Sequence, residues 1–71
     1  MTTKKYAMTL ADIHSYETFS SLKSALSYAR RAKDEHGGAC VFSYGPDGLG
    51  ACHARWTRGQ NGKVFKAKVG A

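Results

Sequence analysis

His36, Cys40, Cys52 and His53 of this 71-residue chain are of types that hold metals or act as nucleophile and base, and they invite a zinc site. Structural zinc sites are built from closely spaced pairs, Cys-x-x-Cys or two histidines three to five residues apart. Neither pairing occurs, and Cys52 and His53 are adjacent, so in a strand they point to opposite faces. A cysteine nucleophile needs a base within hydrogen-bond reach, and the same adjacency denies Cys52 its neighbour. Cys40 would have to meet His14 or His36 in space, with no orienting residue or oxyanion loop in view. The glycines of Gly45-Pro46-Asp47-Gly48-Leu49-Gly50 do not make a phosphate cradle. Such a loop follows a strand and opens a helix, whereas this segment joins two strands. No metal, no cofactor and no catalytic residue is expected, and the chain reads as a non-enzyme. Both cysteines are expected as reduced thiols in the core.

The size agrees. At 7.7 kDa the chain makes one small domain over residues 1–71, with no room for a catalytic domain carrying its own cofactor cleft. With 42% apolar and 23% charged residues, it has the composition of a folded domain. Two cysteines do not form the disulfide framework of a small secreted protein. The basic start Met1-Thr2-Thr3-Lys4-Lys5-Tyr6 leads into no apolar run of signal length. The longest apolar stretch, Ala39-Cys40-Val41-Phe42, is too short to span a bilayer. A cytosolic location is expected.

The elements that must position any site follow from periodicity. Lys5 to Leu10 reads as a first strand, and Ala11 to Glu17 either extends it or crosses over as a loop. From Phe19 to His36 there is no Gly or Pro, and Leu22, Ala25, Leu26, Ala29 and Ala32 fall on one helical face. Thr18, Ser20 and Ser21 are all suitable N-caps, and Gly37-Gly38 ends the helix. Three alanines in the apolar stripe imply a close approach to whatever the helix covers. Ala39 to Tyr44, Leu49 to Thr57 and Lys63 to Val69 then read as a meander, with turns at Gly45–Gly48 and Asn61-Gly62. The expected class is α+β: one helix on one face of a four-stranded antiparallel sheet, in the order β-α-β-β-β.

Alternation divides the strands into two sets. Cys40, Phe42, Tyr44, Cys52, Ala54, Trp56, Phe65, Ala67 and Val69 form the apolar set, expected beneath the helix. Val41, Ser43, Leu49, Ala51, His53, Arg55, Val64, Lys66 and Lys68 form the other, joined by Lys5 and Thr9. The helix-free face is therefore expected to carry Lys5, Arg55, Lys66 and Lys68 with His53, flanked by Arg58 and Lys63. Residues 37–71 hold five basic side chains against one acidic, so most of the formal charge of +6 lies on the meander. Such a face suits phosphate or an acidic protein patch. Arg30 and Arg31, on the outer side of the helix, are a secondary candidate. With the aromatics assigned to the core, no base-stacking platform is expected.

The run Thr18-Phe19-Ser20-Ser21-Leu22-Lys23-Ser24-Ala25, the alanines at 29 and 32, the Asp47-Gly48 turn and Ala51 to Trp56 together resemble small phage-encoded anti-CRISPR proteins that inhibit type I surveillance complexes. The resemblance covers about residues 18–66 and rests on fold-making positions. It implies a stoichiometric, non-enzymatic inhibitor in the bacterial host cytoplasm, binding a host protein or nucleoprotein complex as a monomer or small homodimer. A charge of +6 departs from the acidic mimicry of nucleic acid that many such inhibitors use. The other reading is a small basic module that contacts the phosphate backbone of nucleic acid directly.

Overall fold

The computed structural model describes residues 4–69. Strand β1 runs Tyr6–Leu10, β2 Tyr16–Phe19, helix α1 Leu22–His36, and strands β3, β4 and β5 run Gly38–Gly45, Gly48–Arg58 and Val64–Ala67. All neighbours pair antiparallel in one five-stranded sheet ordered β2-β1-β3-β4-β5. The class is α+β, but the sheet has five strands where four were expected, and the element order is β-β-α-β-β-β. The stretch Ala11 to Glu17 divides: residues 11–15 turn the chain, and Tyr16 opens the extra edge strand. Four mixed residues are too few to show a period, which is why β2 escapes a pattern search.

Helix α1 begins at Leu22, after the last of the three candidate caps, while Phe19 closes β2 and rests its ring 5.8 Å from that of Tyr28. Ser21 is the N-cap; its Oγ accepts the Ser24 amide at 3.2 Å, satisfying one of the donors that a helix start leaves unpaired. At the other end Gly37 takes φ 79° and donates its amide to the Lys33 carbonyl. A Cβ built on Gly37 would stand 3.2 Å from an Arg58 guanidinium nitrogen. Arg58 therefore places a cation at the helix C-terminus, where the dipole favours it.

The core explains the sheet's orientation. Ala25 and Ala29 of α1 are fully buried against Met8, Ala39, Val41, Ala54 and Trp56. Two alanines bring the helix close to the sheet, and β3 turns its smaller side chains, Ala39 and Val41, toward it beside Met8, Ala54 and Trp56. The register carries the assignment across the strands, with Met8 opposite Val41, Val41 opposite Ala54 and Ala39 opposite Trp56. Residues directly opposite share a face. Cys40, Phe42 and Tyr44 consequently point away from the helix, the reverse of the expected arrangement.

In β4 the inversion is local. The ladder pairs Val41 with Ala54 but Phe42 with Cys52, leaving His53 as the extra residue of a β-bulge. Cys52 thereby joins Phe42 on the helix-free face, while Ala54 and Trp56 face the helix as expected. Phe65 and Ala67, opposite Thr57 and Arg55, also lie on the helix-free face. Val41, Ser43 and Val64 lie on the helix side, contrary to expectation, and Val69 falls beyond the last strand. Among the described residues no helix is long and apolar enough to cross a membrane.

Candidate functional site

Across the helix-free face, one row reads Tyr16, Thr9, Cys40, Arg55, Ala67 and the next Thr18, Ala7, Phe42, Cys52. Beyond them the Tyr44 amide donates to the Lys5 carbonyl at 2.7 Å, and Leu49 stands opposite Tyr44. Of the basic side chains expected here, Lys5 and Arg55 are present. Lys66 is not: it stands opposite Trp56, its Nζ 5.9 Å from the centre of a Trp56 ring, on the helix side. His53 leaves the face at the bulge, and its ring meets that of Tyr6 edge-on at 5.5 Å. Tyr6 belongs to the partly buried shell of the core. Arg58 is at the helix cap, Lys63 precedes β5, Lys68 follows it, and Arg30 and Arg31 are exposed on α1. The single basic stripe is not assembled, because the inverted strand and the bulge disperse it.

Aromatic side chains occupy much of the face instead. The rings of Tyr16 and Tyr44 lie 5.7 Å apart, tilted by 52°. Their strands flank β1, so this pair reaches across it at the level of Ala7. Ala7 is 0% exposed although it lies on the helix-free side, and Phe42 is its direct neighbour on β3. Tyr16 is 46% exposed, Leu49 44% and Phe65 52%, so flat apolar surface meets solvent along this side. A hydrogen bond with Tyr44, followed by repulsion from that phenol when ionised, holds the Tyr16 phenol above its ordinary pKa. Tyr16 therefore stays neutral in the neutral pH range.

Positive charge borders these rings. Lys4 and Lys5 join Tyr44, Gly45 and Pro46 around an open depression of about 560 Å³. Among the described residues neither Lys5 nor Arg55 has an acidic partner; Lys33 pairs with Asp34 at 3.2 Å, and Asp12 Oδ1 lies 2.7 Å from His36 Nδ1. Glu17, opposite Met8, is on the helix side. Nothing in the strands of the helix-free face neutralises its two cations.

The cysteines are partly exposed in the middle of this face, not in the core. Desolvation raises the Cys40 thiol pKa and Cys52 adds to the effect, while Arg55 and a hydrogen bond with Thr9 act the other way. Cys40 is thus held in its thiol form at neutral pH. Cys52 Sγ donates to the Ala54 carbonyl at 3.3 Å. Among the described residues, no three His, Cys, Asp or Glu side chains gather as a metal-binding set.

The fold and this face define a small α+β domain with one helix-covered side and one open side of rings and cations. Comparisons with protein-family models, curated proteins and solved structures give no match for this chain.

Proposed function

We propose that this is a non-enzymatic binding module whose open sheet face takes single-stranded nucleic acid, either free or displayed by a host nucleoprotein complex. The observation that carries the reading is the gathering of Tyr16, Phe42 and Tyr44 on the helix-free face beside Lys4, Lys5 and Arg55. Unstacked bases lie flat on aromatic rings regardless of sequence, and lysine or arginine follows the backbone. A duplex hides its base faces and can use the cations alone. The reading keeps the interaction protein implied by the resemblance to phage-encoded inhibitors, and changes how it grips its partner: by stacking as well as by charge. A cytoplasmic setting in a bacterial host belongs to the same proposal.

Titrating labelled single strands of about 12 nucleotides, as DNA and as RNA, against the matching duplex tests it. Single strands bind more tightly than duplex at equal ionic strength. Three phosphate contacts, from Lys4, Lys5 and Arg55, give a slope of roughly −2 for log affinity against log salt. Replacing Lys5 and Arg55 together by alanine flattens that slope by roughly 1.4. Equal or tighter binding of duplex, or no binding of any free strand at low salt, overturns the proposal. A pull-down from host lysate then separates the remaining cases, since retention that survives nuclease assigns the partner to a protein.

A further inference from the structure

We infer that the cleft between α1 and the β1–β2 hairpin binds a primary alkylammonium group, carried by a free amine or by a lysine side chain. It opens on the helix side of the sheet and is independent of the proposed nucleic-acid face. The cleft has a volume of about 330 Å³, at the lower end of the size of small-ligand sites. Met8 and Leu10 contribute apolar lining from β1, and Ile13 and Tyr28, 42% and 37% exposed, contribute from the loop and the helix. Its polar groups are Ser15, Glu17 and the His36 ring.

The cleft is held open by contacts at its rim, one of them made by its own lining residue His36. His36 Nδ1 and Asp12 Oδ1 are 2.7 Å apart, tying the hairpin loop to the last residue of the helix. The Ala11 amide donates to the Gly38 carbonyl at 3.1 Å, anchoring the same loop to β3. A preformed site spares a ligand the cost of ordering it.

The charge selects the ligand. Glu17 is one of five acidic side chains in a chain with eleven basic ones, yet no Lys, Arg or His among the described residues pairs with it. A neutral or anionic ligand would desolvate that carboxylate without replacing its hydrogen bonds. A primary ammonium donates N–H to Glu17 and to the Ser15 hydroxyl, and the Tyr28 ring favours a cation at its face. The attached methylene carbons then lie against Leu10 and Ile13. Ligand charge and lining agree.

Amide NMR titration of the whole chain with n-butylamine at neutral pH tests this, with n-butanol and butyrate as controls and the N-acetyl amide of lysine as a second ammonium. We expect a dissociation constant of about 1 mM for so small a ligand, with shifts confined to residues around the cleft. Butanol and butyrate bind about tenfold more weakly or worse, and Glu17→Gln, with an otherwise unchanged spectrum, loses about tenfold for n-butylamine. Tighter binding of the lysine derivative identifies a protein side chain as the natural ligand, and tighter binding of n-butylamine a free amine. Shifts shared equally by Asp34, Glu35 and Asp47, or a Glu17→Gln variant that binds as before, overturn the inference.

Discussion

Gly38→Ala lowers the melting temperature by roughly 12–24 °C, read by circular dichroism. That corresponds to about 3 kcal/mol at roughly 4–8 °C per kcal/mol for a chain this size. Two costs combine. Gly38 has φ 141°, a region where side-chain-bearing residues are strained by roughly 1–2 kcal/mol. The new Cβ would also stand 2.7 Å from the Trp56 carbonyl oxygen, which is backbone and cannot rotate aside. Strand β3 must move off β4 where Ala39 meets Trp56, disturbing the core at roughly 1–3 kcal/mol. Against a total stability of about 4–10 kcal/mol, the loss is large. Gly62→Ala isolates the first cost, because Gly62 has φ 82° and open space where the Cβ would go. Its melting temperature falls by roughly 4–8 °C, for about 1 kcal/mol. Equal losses in the two variants would show that the close approach at Gly38 adds nothing.

The same close approach explains how far pattern reading reaches in this chain. Helix α1 is visible from Leu22, Ala25, Leu26, Ala29 and Ala32, from a serine cap and from Gly37, because helical period and capping are local. The meander is visible from its turns. The faces of β3 are not, since this central strand carries apolar side chains on both sides: Ala39 and Val41 on one, Cys40, Phe42 and Tyr44 on the other. Ranking by size sends the large rings to the core. Yet Ala25 and Ala29 pack against the face of β3 that carries Ala39 and Val41, so its smaller set is the buried one. The alanine stripe was therefore the signal that could have oriented the sheet. The bulge at His53 has no comparable signal, since it depends on the pairing of β3 with β4. Once both are in place, Arg55 and Lys5 keep the expected face while Lys66 and His53 leave it. The aromatic platform, excluded by the pattern, takes their position.

That platform yields the other large effect. Tyr44→Ala weakens single-strand binding by about tenfold, and Phe42→Ala with Tyr44→Ala by about a hundredfold, taking roughly 1.4 kcal/mol per stacked base at the low end of the measured range. Tyr44 is the more informative position. Its ring stands 5.7 Å from Tyr16 and borders the depression that Lys4 and Lys5 share, so its removal withdraws a stacking surface next to two cations. Neither Phe42 nor Tyr44 belongs to the helix-side core, and the folded spectrum survives both changes. The salt dependence separates stacking from charge. Losing a ring shifts the whole log–log line downward without altering its slope, whereas removing Lys5 or Arg55 flattens it. Tyr44→Phe retains most of the affinity, because the ring and not the hydroxyl meets the base. A double variant that binds single strands as tightly as the parent chain would remove stacking from the mechanism. It would leave the cations of this face as an electrostatic surface alone.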